Sequence, residues 1–72
     1  MSAPVTLLGA ILRESAIDEG SVRGLARRIE ISPQTLYGVL HGHVPGRHVC
    51  RSIAAYLEIS TEQVAAWARE AA

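Results

Sequence analysis

A link of only three residues joins two short helical segments near the middle of this 72-residue chain. Apolar residues recur at helical spacing up to Ile29 and again after Pro33, so Glu30, Ile31 and Ser32 have to turn the chain sharply. Two short helices joined by a turn of three or four residues define the helix-turn-helix unit. This link constrains the fold more than any other feature of the sequence.

Five blocks of apolar residues at helical spacing predict an all-α chain of about five short helices. A serine precedes three of them, and a serine at the N-cap accepts a hydrogen bond from the first helical turn. Ser21 precedes the second block and Ser32 the third, where Pro33 suits the first helical position. Ser60 followed by Gln63 is typical of a capping box at the start of the fifth. Nothing in the sequence indicates a β-strand.

The residues predicted to be buried share apolar character and helical spacing. They are Leu8, Ile11, Leu12 and Ala16; Val22, Leu25, Ala26 and Ile29; Leu36, Val39 and Leu40; Val49, Cys50, Ile53, Ala54 and Leu57. Gly20 and Gly42 are predicted to end the first and third helices, because glycine takes up a left-handed conformation without steric cost. The fifth helix is predicted over about 61–71.

The length and composition predict one small domain over 1–72, with a helix-turn-helix core over about 21–42. Apolar residues make up 49% of the chain, too many for a disordered segment. No apolar run approaches the roughly 18 residues of a membrane span, and the start lacks the charged opening of a signal peptide. A single cysteine cannot form an internal disulfide, so we expect a cytoplasmic protein without membrane contact.

The formal net charge of zero is the sum of two opposed parts of the chain. Residues 21–51 carry five Arg against one Glu, a net charge of +4, together with all three His. The remainder carries two Arg against six carboxylates, a net charge of −4. Such an arrangement can orient one side of a neutral molecule toward a polyanion.

The chain resembles the XRE, or Cro/cI-type, helix-turn-helix regulators over about residues 21–65. In "LARRIEIS", Ala26 matches the family's small residue at the helix crossing. In "SPQTLYGVLHGHVP", Leu36 and Val39 match buried positions and Gly42 matches the glycine after the recognition helix. The segment "SIAAYLEIS" is similar to the family's closing helix.

One departure from the family pattern lies in the link between the two helices. The family usually has glycine where this chain has Glu30, because the turn often needs a positive φ. We therefore expect Glu30 to be slightly strained, at a cost on the order of 1 kcal/mol, or the turn to differ slightly. The resemblance implies a DNA-binding regulator that reads the major groove with the helix at 33–41.

The outer face of the helix at 33–41 is predicted to contact DNA. Gln34 is the best candidate for reading a base, because an amide can pair with adenine N6 and N7 together. Gly38 is expected to let the backbone approach a groove wall closely. The predicted base contacts are Gln34, Thr35, Tyr37 and Gly38, and the predicted phosphate contacts are Ser32, Arg23, His41, His43, Arg47 and Arg51.

The fifth block is predicted to pair two copies of the chain. One recognition helix reads only a few base pairs, so a weakly charged domain needs a second copy for affinity and specificity. The predicted dimer stripe consists of Val64, Trp67, Ala68 and Ala71. The double-stranded DNA site would then be an inverted repeat. A plainer alternative is that Trp67 closes the core of the single chain.

Metal, cofactor and enzyme functions have little in the sequence to favour them. His41, His43, His48 and Cys50 are residue types that bind zinc, but their spacing matches no usual zinc motif. We expect no metal, no cofactor and no small-molecule ligand. No paired nucleophile and base, carboxylate pair or phosphate-binding glycine loop indicates an enzyme.

Two functions from different classes stay open at this point. The first is a sequence-specific, double-stranded DNA-binding regulator, most simply a small dimeric repressor. The second is a helical protein-interaction module, antitoxin-like or an adaptor, that has the same shape without reading DNA. The clustered Arg and His favour the first, although arginines on a surface helix are often merely solvated. The acidic remainder keeps the second open.

Overall fold

Five α-helices follow one another in the structure, a computed structural model that describes residues 5–72. They are α1 (Leu7–Asp18), α2 (Val22–Ile29), α3 (Pro33–Leu40), α4 (Arg47–Leu57) and α5 (Thr61–Trp67). The extended pairing within the described residues is a single antiparallel bridge between Thr6 and Ala71. The predicted all-α class with five helices is confirmed. We expected the start of the chain not to be a signal peptide. Residues 1–4 of that start lie outside the described residues.

Serine caps begin α2, α3 and α5, as the sequence predicted. Each hydroxyl accepts a hydrogen bond from the backbone N–H three residues further on, which otherwise has no partner within its helix. The pairs are Ser21 with Gly24 at 2.9 Å, Ser32 with Thr35 at 3.1 Å and Ser60 with Gln63 at 3.0 Å. Such a cap stabilises a helix by about 1 kcal/mol. The caps therefore set where these three helices begin.

The link between α2 and α3 turns at a left-handed residue. Glu30 has φ 67° and ψ 42°, which confirms the strain expected there. The N–H of Ile31 donates to the carbonyl oxygen of Ala26 at 3.0 Å, so a carbonyl at the end of α2 is satisfied. Glu58 ends α4 in the same conformation, with φ 58°, which was not predicted from the sequence.

One core lies where the five helices meet. The side chains with almost no exposed surface come from all five helices: Leu8, Leu12, Leu25, Leu36, Ile53 and Val64. α1 packs against α2, α3 and α5, while α4 packs against α2 and α5. Of the residues predicted to be buried, four are only half-buried: Ile11, Val22, Val49 and Leu57. No helix within residues 5–72 has the length and apolar character to cross a bilayer.

The fifth helix ends at Trp67, so its predicted extension to residue 71 is wrong. The chain after it turns back and pairs with the segment that leads into α1. The N–H of Leu7 donates to the carbonyl oxygen of Glu70 at 2.8 Å, and the N–H of Ala72 donates to that of Val5 at 2.9 Å. The first N–H groups of α1 have no partner inside the helix, so this pairing satisfies one of them.

The predicted dimer stripe on α5 is largely internal to one chain. Val64 is 0% exposed and Ala68 4% exposed, because both face the core between α1, α4 and α5. The prediction that these two residues contact a second chain is therefore wrong. Ala71 is exposed, but it lies beyond the end of α5 and shares no helical stripe with them. Trp67 is half-buried and packs against the core cluster.

Candidate nucleic-acid interface

The third helix has one apolar face turned inward and one uncharged polar face turned outward. Leu36, Val39 and Leu40 are buried, as the sequence predicted. Gln34, Thr35 and Tyr37 are exposed on the outer side. The helix carries no charged side chain. Its outer face can therefore approach a polyanion without bringing a carboxylate with it.

The first turn of α3 leaves one of its polar side chains uncommitted. The hydroxyls of Ser32 and Thr35 lie 2.7 Å apart and share a hydrogen bond, in addition to the cap that Ser32 makes. Both hydroxyls are thus partly used within the fold. The Gln34 amide makes no hydrogen bond to another residue in the described part of the chain. Gln34 is the residue of this turn with its full hydrogen-bonding capacity available.

The segment after α3 folds back against the middle of that helix. The N–H of His43 donates to the carbonyl oxygen of Gly38 at 2.9 Å. A Cβ atom at Gly38 would lie 3.7–3.8 Å from three atoms of the His43 side chain, an ordinary van der Waals distance. The side of Gly38 that has no side chain therefore lies beside the imidazole of His43. The sequence predicted that Gly38 lets the backbone approach a groove wall, and His43 lies at that same place.

The ring of His41 is oriented by a hydrogen bond at the end of α3. Its Nδ1 lies 2.8 Å from the carbonyl oxygen of Tyr37. A carbonyl oxygen only accepts, so we infer that Nδ1 carries the hydrogen. The Nε2 of a neutral ring is then an acceptor, and it becomes a donor only when the ring is protonated. A hydrogen bond from His41 Nε2 to a phosphate oxygen therefore requires the charged imidazolium.

Two arginines of α2 line a depression at the start of α3. Arg23 and Arg27 form its charged side, Ile31 and Pro33 form its apolar side, and its volume is about 480 Å³. Both arginines are exposed. Neither makes a salt bridge to a carboxylate anywhere in residues 5–72. Of these two arginines, only Arg23 was predicted from the sequence to contact phosphate.

The two predicted phosphate ligands on α4 lie in a different setting from those on α2. Arg47 and Arg51 line a groove of about 330 Å³ between α4 and α5, which also contains Glu62. Arg51 borders a second groove, of about 800 Å³, whose carboxylates are Glu30 and Glu58. No residue of α3 lines either groove. Both grooves are thus lined without α3, and the phosphate contacts of Arg47 and Arg51 stay predictions.

The histidines and the cysteine after α3 do not converge. Within residues 5–72, no three His, Cys, Asp or Glu side chains lie close enough together to hold a metal ion. Cys50 is buried, and its thiol donates to the carbonyl oxygen of Pro45 at 3.6 Å. Burial raises the pKa of the Cys50 thiol, which keeps it protonated and chemically unreactive.

A polar contact that no local pattern predicts joins Tyr56 on α4 and Arg28 on α2 to Glu19, the residue after α1. The hydroxyl of Tyr56 donates to Glu19 Oε2 at 3.0 Å, and Arg28 Nε lies 3.6 Å from Glu19 Oε1. Partial burial and the Glu19 carboxylate together raise the pKa of Tyr56. The contact joins residues 37 positions apart, so no local pattern announces it. It directs Arg28 toward Glu19.

Comparisons of the chain with models of protein families, with curated proteins and with solved structures gave no match.

Proposed function

We propose that this chain is a sequence-specific double-stranded DNA-binding regulator of the helix-turn-helix type, with α3 in the major groove. The observation that carries the proposal is the outer face of α3, which is exposed, polar and free of charge. An α-helix fits the major groove of B-DNA, and the first residues of a recognition helix reach the base edges. Gln34 stands in that position and pairs with adenine.

The positive charge that holds the DNA backbone lies on both sides of α3 along the chain. Arg23 precedes it on α2 and Arg47 follows it on α4, while His41 and His43 are proposed phosphate contacts in the segment between. Each cation that neutralises a phosphate releases condensed counterions, so affinity falls as salt rises. Phosphate contacts fix the position of the protein, and Gln34 supplies the sequence preference. The resemblance to the XRE regulators is consistent with this division of roles.

A second copy of the chain is part of the proposal. An eight-residue helix reads only a few base pairs, so useful specificity needs two copies on an inverted repeat, with half-sites about 34 Å apart. Val64 and Ala68 belong to the core and take no part in the contact between the copies. The single cysteine is a buried thiol, which suits the reducing cytoplasm where we propose that the regulator meets its DNA.

A protein-interaction module is the second candidate function. The observation that favours it is the groove of about 800 Å³ between the end of α2 and α4, whose lining carries both signs of charge. Glu30 and Glu58, the two non-glycine residues with positive φ in residues 5–72, both line this groove. Strained residues are found preferentially at functional sites. A partner protein bound there would leave α3 uncovered.

The experiment that separates the two candidates is binding of a fluorescent random-sequence duplex, measured by anisotropy between 50 and 200 mM NaCl. The DNA-binding proposal expects log K to fall linearly with log[NaCl], with a slope of about −0.9 for each phosphate contact. Sites selected from a random DNA pool should then bind more tightly than the random duplex. A chain that binds no duplex at 50 mM NaCl would contradict the proposal and leave the interaction module.

A further inference from the structure

We infer that Arg23 and Arg27 act as a pair that binds the DNA backbone phosphate beside the first turn of α3. The inference rests on the proposed DNA-binding function and adds Arg27 to its interface. The two residues are one helical turn apart on α2, and they line the same depression. A phosphate oxygen there can accept hydrogen bonds from both guanidinium groups.

The electrostatics of α2 leave this pair without an internal partner. Like charges four residues apart on a helix repel each other. Within residues 5–72 no carboxylate lies within salt-bridge distance of either guanidinium. The next residue, Arg28, is one position further round the helix and pairs with Glu19 instead. A bound anion would relieve the repulsion between Arg23 and Arg27.

The walls of the depression suit long cationic side chains. Ile31 and Pro33 are half-buried and apolar, so the aliphatic stems of the arginines can lie along them while the guanidinium groups stay at the mouth. Pro33 is also the first residue of α3, and Gln34 follows it. The depression therefore lies beside the residue that we propose to reach a base edge.

The plainer explanation is that Arg27 only stabilises its own helix. A cation in the last turn of a helix interacts favourably with the helix dipole, and Arg27 and Arg28 both lie in the last turn of α2. If this explanation holds, Arg27→Ala and Arg28→Ala should have similar effects, apart from the loss of the Arg28 salt bridge. The phosphate inference expects only Arg27→Ala to change the salt dependence of DNA binding. Arg28→Ala is therefore the matched control for Arg27→Ala.

The test measures binding of a random-sequence 20-base-pair duplex between 50 and 200 mM NaCl for the parent, Arg23→Ala, Arg27→Ala, the double variant and Arg28→Ala. Thermal unfolding without DNA shows that each variant is folded. We expect the double variant to reduce the steepness of the salt dependence by about 0.9, the value for one phosphate, so that the fourfold rise in salt weakens its binding about 3.5-fold less than in the parent. Each single variant of the pair should reduce the steepness by part of that amount, and Arg28→Ala should keep the parent slope.

Each other outcome has a distinct meaning. A parent that binds duplex with a slope unchanged in Arg27→Ala, or changed equally in Arg28→Ala, overturns the inference and leaves the proposed function intact. A parent that binds no duplex overturns both. Titration with inorganic phosphate at constant ionic strength separates the DNA backbone from a free anion. Saturable shifts of the Arg27 side-chain NMR signal with inorganic phosphate, and none with duplex, would overturn the assignment to DNA.

Discussion

The two glycines within α2 and α3 offer a matched test of the packing, because the same substitution should have opposite effects at each. A Cβ at Gly38 would stand 3.7–3.8 Å from the His43 side chain, so a methyl group fits there. Alanine is favoured over glycine in a helix interior by about 0.5–1 kcal/mol. Gly38→Ala should raise the free energy of unfolding by that amount, and the melting temperature by roughly 2–8 °C for a domain of this size.

The surroundings of Gly24 give the opposite expectation. A Cβ there would lie 2.9 Å from the carbonyl oxygen of Glu19, which belongs to the backbone and cannot swing aside. Overpacking of this kind costs about 1–3 kcal/mol, more than the gain in helix propensity. Gly24→Ala should therefore destabilise the protein by up to about 2 kcal/mol. Urea unfolding measured by circular dichroism gives both values, and a destabilised Gly38→Ala or a stabilised Gly24→Ala would refute the reasoning.

Three further predictions concern single side chains. Gln34→Ala should cost about 1–3 kcal/mol on a selected DNA site and little on random duplex, as measured by anisotropy. His41→Ala should weaken binding of selected and random duplex by a similar factor, because His41 is a proposed phosphate contact and phosphate contacts carry no sequence information. Tyr56→Phe should lower the free energy of unfolding at pH 7 by about 1 kcal/mol, because Glu19 loses its donor. The folded-state pKa of Tyr56 is raised, so its contribution to the free energy of unfolding is present below about pH 10 and is lost as pH rises through the raised value. Urea unfolding of Tyr56→Phe at alkaline pH should not show this loss.

The starts of the helices were predictable because the residues that set them are local. Ser21, Ser32 and Ser60 each use a hydroxyl three residues before the N–H that it satisfies, and Pro33 has no N–H to lose. The division of α3 into an inner and an outer face was predictable for the same reason, since helical periodicity alone decides which side chains share a face. Whether the amide of Gln34 has a hydrogen-bond partner could not be predicted from the sequence.

The errors in the sequence analysis share a dependence on distant residues. The end of α5 at Trp67 reflects backbone pairing between the two ends of the described chain, and no turn residue marks it. An apolar stripe shows that a face is covered but not by what, so Val64 and Ala68 were assigned to a partner when the core covers them. The phosphate contact of Arg51 is not one of these errors and stays a prediction; the structure adds only that Glu30, Glu58 and Glu62 line the grooves beside it.

The most direct test of the central claim is to find where on the chain duplex DNA binds. Amide chemical shifts in a ¹H–¹⁵N NMR titration with a short random-sequence duplex at low salt give that answer residue by residue. The proposed function predicts that the largest changes fall on residues 32–43, with further changes at Arg23 and Arg27. Changes confined to the grooves beside α4, or no changes at saturating duplex, would contradict it.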